Sequence, residues 1–383
     1  MQIKNTGFYS KKLGNLADGC KYCVKGEKLV LFVTGICPRK CYFCPLSDDK
    51  YSKDVIYANE KKIDKETEVD KIIKEAELCE SAGAGITGGD PLARLNRTVR
   101  FIKSLKDKFQ TKKKIFHIHL YTSLDLVSNE SLRELYMAGL DEIRFHPDLD
   151  DNKYWDRINL AIKYNWKIGI EVPVIPGKGT ELKKLIEFVE EKVNFINLNE
   201  LEMADNKVSR LSDMGFKTKN KTSYAVKGSD KLAKELLSYV SENNIKLDVH
   251  FCTAKLKDKV QLAKRIMRRA ENIRQEFDVV DPEGMLIRGV IYPKGLEPGF
   301  GYQKKIKAMK NQKTLESLKK TEENLKKDFK IKDKMIARDE NKLRILTSVK
   351  IAKKLSKKIK NRCAIVTEYP TEDSFEVEID FLN

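Results

Sequence analysis

Two rhythms of apolar and polar positions run through this 383-residue chain, short unbroken apolar runs and longer stretches with a helical period. Leu29 to Val33 is a continuous apolar run of the kind buried on both faces of a parallel sheet. From Lys62 to Ser81 the apolar residues Ile63, Val69, Ile72, Ile73, Ala76 and Cys79 recur at helical spacing, and the pattern stops toward Gly83. Cys79 lies on that stripe and reads as core. The alternation then repeats. Strands are expected at Ala84–Thr87, Ile115–Tyr121, Asp141–Phe145, Lys167–Val172 and Phe195–Leu198. Helices are expected between them, through Val99 to Leu105, Leu132 to Gly139, Tyr154 to Tyr164 and Glu181 to Lys192. Six strand-then-helix units predict a parallel α/β sheet, open or closed.

Beyond this repeat the pattern loosens. A helix is expected at Lys231–Val240, a strand at Ile245–Cys252, a helix at Leu256–Phe277 and a strand at Met285–Tyr292. Residues 303–335 suit one long lysine-rich helix. The tail reads as strand (Lys342–Leu346), helix (Val349–Ile359), strand (Cys363–Glu368) and strand (Phe375–Phe381), a small α+β module. The expected domains are an N-terminal segment 1–28, a main domain 29–250, an extension 251–300 and a basic module 301–383.

Charge sharpens this division. The chain carries a net +18, and residues 301–360 hold 21 Lys/Arg against 7 Asp/Glu. Such a block favours a polyanion, with RNA or DNA leading and a solvated helical face as the bland alternative. Lys264, Arg265, Arg268 and Arg269 on the helix before it, and Lys353, Lys354, Lys357 and Lys358 within it, are the candidate nucleic-acid contacts. No apolar run approaches the ~20 residues of a membrane helix, and the polar start lacks a signal peptide, so a cytoplasmic protein is expected. Eight cysteines without a secretory signal point to metal or redox chemistry rather than disulfides.

Three of those cysteines carry the sharpest signal. Cys37-Pro38-Arg39-Lys40-Cys41-Tyr42-Phe43-Cys44 follows the first apolar run and the turn Thr34-Gly35. Thiolates are soft, anionic iron ligands, and a short loop can wrap three of them around one face of a four-iron cluster. Three ligands leave one iron open for a small molecule. A zinc site lacking its fourth ligand would be the duller use. The C-x3-C-x2-C spacing, with Phe43 before the last cysteine, resembles the radical S-adenosylmethionine (SAM) superfamily. Gly88-Gly89-Asp90-Pro91, after the second strand, is similar to that family's GGEP motif, with Asp in place of Glu.

The resemblance implies a partial (β/α)6 TIM-type barrel, with catalysis at the C-terminal mouth of the strands. It implies a 4Fe–4S cluster on Cys37, Cys41 and Cys44, and SAM cleaved by one electron to a 5′-deoxyadenosyl radical that abstracts hydrogen from substrate. Gly88 and Gly89 would admit the methionyl amino group and Asp90 would neutralise it. Tyr121, Thr122 and Ser123 would reach the ribose or carboxylate. Arg144 and His146 are candidates for the SAM carboxylate or the substrate, with a plain His146-Pro147 turn as alternative. Glu171 and Val172 correspond in position to the strand that touches adenine. A ferredoxin-type electron donor is implied as partner.

Asn197, Asn199, Glu200 and Glu202, at the sixth strand's end, are candidate substrate contacts or simply a solvated strand end. Cys20-x2-Cys23 and His250-x-Cys252 together supply three sulfurs and a nitrogen, suited to zinc or an auxiliary cluster, or they are four unrelated residues. Cys363 reads as packing. The stretch from Cys20 to Pro45 resembles archaeal radical SAM proteins described as related to pyruvate formate-lyase activating enzymes. The basic module favours RNA, with tRNA foremost, over a protein substrate. Its most specific form is methyl transfer to threonylcarbamoyladenosine. The 36 residues before Cys37 are too few for a cobalamin domain, so methylation would call on Cys252 or Cys363 as carrier. The alternatives are a glycyl-radical enzyme activase, a cofactor-biosynthesis enzyme and an RNA-binding iron–sulfur sensor.

Overall fold

Seven parallel strands form the frame of the first part of the chain: β1 (Lys28–Phe32), β2 (Gly83–Thr87), β3 (His117–Ser123), β4 (Glu142–His146), β5 (Lys167–Val174), β6 (Phe195–Glu200) and β7 (Asp248–Cys252). Each pairs with the next in chain order. The computed structural model describes residues 1–383, which divide into two compact units, Met1–Arg265 and Ile266–Asn383. In the first unit, hairpins at Lys4–Leu13 and Ile56–Ile63 add antiparallel strands outside β7 and β1, and these two edges do not pair with each other. The result is a partial TIM-type barrel with one parallel strand more than the six expected.

The sequence rhythm fails where turn chemistry intervenes. Asn59 adopts a left-handed conformation, φ 52°, and turns the chain back on itself. Ile63 therefore sits in a strand, and the following helix is confined to Val69–Leu78. The stretch around Tyr154–Tyr164 forms only the 3-10 turns Trp155–Ala161. The remaining helices lie near their expected places, at Leu95–Phe109, Asn129–Met137, Gly179–Val189 and Ser229–Glu242. Apolar residues of the strands and helices close one continuous core, including Leu29, Leu31, Ile86, Leu120, Ile143, Ile170 and Leu198.

The second unit is an antiparallel sheet with helices. Its strands are β8 (Leu286–Tyr292), β9 (Ile336–Asp339), β10 (Arg344–Thr347), β11 (Arg362–Glu368) and β12 (Glu376–Phe381), in the order β9-β10-β8-β11-β12. Here the expected boundaries shift. β8, expected in an extension of the barrel domain, is the central strand of this sheet, because both its faces are buried: Val290 and Tyr292 in one cluster, Ile291 in another. The long basic helix is two, Tyr302–Met309 and Gln312–Phe329. Asn311 separates them by capping the second, its side chain accepting from Thr314 N at 3.0 Å. Buried beside the sheet is an ionic network. Arg344 meets Asp339 at 2.8 Å, Glu368 at 2.7 Å and Glu376 at 3.2 Å, and Arg288 meets Glu368 at 3.0 Å.

Candidate active site at the barrel mouth

The loop from Thr34 to Cys44 leaves β1 at the mouth and is held there by its neighbours' backbones. Gly89 N donates to Thr34 O at 2.7 Å and Asp90 N to Ile36 O at 2.9 Å. A Cβ on Gly88 would stand 2.5 Å from Thr34 O, and one on Gly89 2.5 Å from Ile36 O. The glycine pair is thus required by close packing on the cysteine loop. From the other side, Asn206 Nδ2 donates to Cys44 O at 3.0 Å and Leu46 O at 2.8 Å, and Arg210 N to Tyr42 O at 2.7 Å. The segment after β6 straps the loop in place, a role the sequence did not disclose.

Cys37, Cys41 and Cys44, all half-buried, line one cavity of about 370 Å³ together with Phe43, Gly88, Gly89, Tyr121, Thr122, Ser123, His146, Glu171 and Asn199. Burial pushes the Cys37 thiol up to about 12 and raises Cys41 and Cys44 as well. A buried thiolate is costly until a cation shares the site, and three such thiols lining one cavity suit an iron–sulfur cluster with one iron left unligated by protein. Nowhere in the chain do three His, Cys, Asp or Glu side chains converge as ligands of a single metal ion. For the loop cysteines this is no obstacle, since each thiolate of a cluster binds a different iron.

Asp90 does not play the part expected of it. It is fully buried and away from the cavity wall, and both carboxylate oxygens are occupied. Oδ1 accepts from Leu92 N at 3.0 Å and Thr122 Oγ1 at 2.7 Å, and Oδ2 from Ser123 N at 3.0 Å and Ser123 Oγ at 2.6 Å. Its carboxylate therefore orients Thr122 and Ser123, which do line the cavity, rather than meeting an amino group itself.

Arg144 is a second correction. It too is buried off the cavity, with its guanidinium bound to Glu142 at 2.5 Å, Glu171 Oε2 at 3.0 Å and Tyr121 Oη at 3.1 Å. No donor is left aimed at a SAM carboxylate. It positions Glu171, whose carboxylate also accepts from Asn197 Nδ2 at 2.8 Å and Asn199 Nδ2 at 2.9 Å. Val172 is wholly in the core, so of the fifth-strand pair only Glu171 reaches the cavity. His146 reaches it as well, with Nδ1 2.7 Å from Glu171 O. Burial pulls its imidazole down to about 4, so the ring is neutral. Arg39, between the cysteines, ties the loop to the β4 exit through His146 O at 2.6 Å and Asp148 at 2.8 Å. A cation inside the cysteine motif was the signal for it.

A second chamber of about 480 Å³ adjoins the first, sharing Phe43, Pro45, His146 and Asn199. Glu200 and Glu202 line it, held by Lys219 and by Lys257 (2.6 Å), whereas Asn197 is buried and lines neither chamber.

The zinc arrangement of Cys20, Cys23, His250 and Cys252 is not formed. Cys20 Sγ lies 3.3 Å from Asn197 Nδ2 and 3.5 Å from Arg144 Nη2, His250 Nε2 is 3.0 Å from Ser10 Oγ, and Cys252 packs with Val24, Leu256 and Val260. Cys20, His250 and Cys252 face polar partners and core, Cys23 is half-buried, and the four do not converge on a single ion. Cys79 and Cys363 are core, as expected. Of the basic candidates, Lys264 donates to Val24 O at 3.0 Å, Arg265 pairs with Glu60, and Arg269 is buried against Pro370 O. Arg269 is thus spent inside the fold and Arg265 on an acidic partner, while Lys264 is exposed with its amine on a backbone carbonyl. Lys353, Lys354, Lys357 and Lys358 are exposed and border one recess.

An open parallel barrel with a cysteine loop and a glycine turn packed at its mouth defines a class of cluster-dependent enzymes. The family model described as Radical SAM superfamily matches residues 31–189, and that described as Domain of unknown function (DUF8061) matches residues 284–380. A Methanocaldococcus jannaschii protein, provisionally named a glycyl-radical enzyme activating enzyme, is 42% identical over 293 residues, 74% of this chain and 76% of its own. Among solved structures, Streptococcus suis SuiB bound to S-adenosylmethionine overlaps 59% of this chain and 50% of its own, at 15% identity and a TM-score of 0.40. HydG, a maturase of the FeFe hydrogenase, overlaps 64% and 63%, at 14% identity and a TM-score of 0.41. The chain spans about half the length of SuiB. The chain belongs to the radical SAM superfamily, whose members use a 4Fe–4S cluster and SAM.

Proposed function

We propose that Cys37, Cys41 and Cys44 hold the cluster and that the cavity they share with Gly88, Gly89 and Tyr121 to Ser123 holds SAM. The observation that carries this reading is the convergence of these residues, drawn from the exits of β1, β2 and β3, in the lining of a single cavity. When bound, cluster and SAM supply a 5′-deoxyadenosyl radical for hydrogen abstraction. The chain's own task is placement. Asp90 orients Thr122 and Ser123, and Arg144 orients Glu171. Neutral His146 donates its Nδ1–H to the Glu171 carbonyl, leaving Nε2 as an acceptor. The adjoining chamber past Phe43 and Asn199 is where the substrate carbon would enter.

The relative's name favours a glycyl-radical enzyme as substrate. A reductant of the ferredoxin class and a cytoplasmic location are part of the proposal on the strength of the one-electron chemistry and the sequence alone. A second reading, modification of RNA and of tRNA foremost, is supported by the exposed lysines of the second unit. Its methyl-transfer form to threonylcarbamoyladenosine finds no cysteine carrier at the mouth, because Cys252 and Cys363 are buried and line neither chamber.

The test is anaerobic reconstitution with iron and sulfide, followed by reduction with dithionite in the presence of SAM. Four irons per chain, broad absorption near roughly 400 nm and release of 5′-deoxyadenosine and methionine are expected. Cys41→Ala should lose all three. Retention of four irons by that variant would overturn the assignment.

A further inference from the structure

We propose that the second unit binds the phosphate backbone of a nucleic acid on the lysine face of the helix Val349–Leu355. This deepens the RNA reading of substrate given above and does not depend on the cluster. Residues 349–362 contain seven Lys/Arg and no Asp or Glu. Some cations elsewhere in this unit are paired, Lys326 with Glu322 and Asp333, Lys334 with Glu276, Arg338 with Glu322 and Lys342 with Glu376, but no other stretch of it strings this many cations together without an acidic residue. Lys350, Lys353, Lys354, Lys357 and Lys358 are exposed and enter no ion pair.

The helix dipole accounts for Lys353 and Lys354, in the last turn, but not for the cations that continue beyond it. Like charges three and four residues apart repel, so the row is unfavourable until an anion covers it. Two recesses flank the helix. One, of about 510 Å³, is bordered by Lys353, Lys354, Ser356, Lys357 and Lys358; the other, of about 240 Å³, adds Lys330 and Lys332 and shares Lys354. Cationic heads therefore stand on both sides of the helix, from Lys350 in its first turn to Lys357 and Lys358 in the turn that follows it. That is a track for a linear polyanion. A membrane surface fits less well, because the apolar side of the helix, Ala352 and Leu355, is already buried. A protein partner would need an exposed aromatic or apolar anchor among the lysines, and the apolar side chains that adjoin them, Leu382, Phe329, Ile331, Met335 and Ile351, are at least half-buried.

The experiment uses the full chain and needs neither cluster nor SAM, so its failure leaves SAM cleavage untouched. Fluorescently labelled tRNA transcript and a DNA duplex of similar length are titrated across a potassium chloride series. Affinity should fall steeply with salt. Lys353→Glu/Lys354→Glu/Lys357→Glu should weaken binding at least about tenfold and flatten the log–log salt slope by about 2 to 3. Lys112→Glu/Lys113→Glu/Lys114→Glu, the same change of charge on an exposed loop of the first unit, should change neither by more than about twofold. The corresponding Gln variants serve if the Glu variants do not fold. Tighter binding of the RNA identifies RNA as the source of the phosphates, and tighter binding of the duplex identifies DNA. A flat salt response, equal losses in both triple variants, or tighter binding to vesicles containing phosphatidylserine than to either nucleic acid would overturn the proposal.

Discussion

Asp90 Oδ2 accepts two hydrogen bonds from one residue, Ser123, through its backbone N–H at 3.0 Å and its hydroxyl at 2.6 Å. With Oδ1 on Leu92 N and Thr122 Oγ1, this carboxylate joins the exits of β2 and β3 into one rigid wall. Asp90→Asn must turn an NH2 group toward donors that need an acceptor, at a cost of about 1–3 kcal/mol. The variant should melt earlier and bind SAM more weakly, while still loading four irons, because no thiol is touched. Loss of iron equal to that of Cys41→Ala would instead make Asp90 part of the cluster site.

Gly89 tests the packing of the cysteine loop. A methyl group there would stand 2.5 Å from Ile36 O and 2.7 Å from Gly35 O, both backbone atoms that cannot rotate away. Gly89→Ala should cost about 1–3 kcal/mol by overpacking and lower the yield of reconstituted cluster. By contrast, Gly177→Ala, in open space but at positive φ, should lose stability without losing iron. Iron content and urea midpoints of the two variants separate the effects.

The parallel barrel was legible because strands that face a core carry short apolar runs, unbroken in Leu29 to Val33 and on one face in Ile168, Ile170 and Val172. The cysteine motif was legible because ligand chemistry fixes residue type and spacing together. What the sequence hid was direction. Nothing in Gly88-Gly89-Asp90 says that the glycines pack on Thr34 and Ile36, or that the carboxylate turns inward to Ser123. Nor does a run of basic residues distinguish Arg265, spent on Glu60, from Lys357, which has no partner. The break at Asn311 was visible only as a residue with strong capping preference inside a helical pattern. The place of β8 depended on which strands would cover its second face, and that is set by residues 336–381.

Glu368 stands between two buried guanidinium groups, accepting from Arg288 at 3.0 Å and Arg344 at 2.7 Å. Removing one charge from such a network leaves its partners buried and uncompensated. Glu368→Gln should destabilise the protein by about 3 kcal/mol, read as a lower denaturant midpoint. Cluster assembly and SAM cleavage in the variant should be unchanged under native conditions. A loss below about 0.5 kcal/mol would show that water reaches the network.

The four histidines give the protein a defined acid response. Burial lowers all of them: His117 to about 3, His146 and His250 to about 4, and His119 in the same direction. An unfolded chain titrates near 6.5. Above that value both states are neutral and the histidines contribute no pH dependence. As pH falls through 6.5 the unfolded chain takes up protons that the folded chain refuses until about pH 4, so stability drops across this window. A shift of two to three pH units is equivalent to roughly 3 kcal/mol per histidine at the bottom of the window. The urea midpoint should therefore fall from pH 7 to pH 4.5, before most carboxylates titrate. His250→Gln, which can keep a hydrogen bond to Ser10, should remove about one proton from the slope, or ~1.4 kcal/mol per pH unit. A midpoint that holds steady or rises between pH 6.5 and 4.5 would mean that these imidazoles are charged in the folded protein.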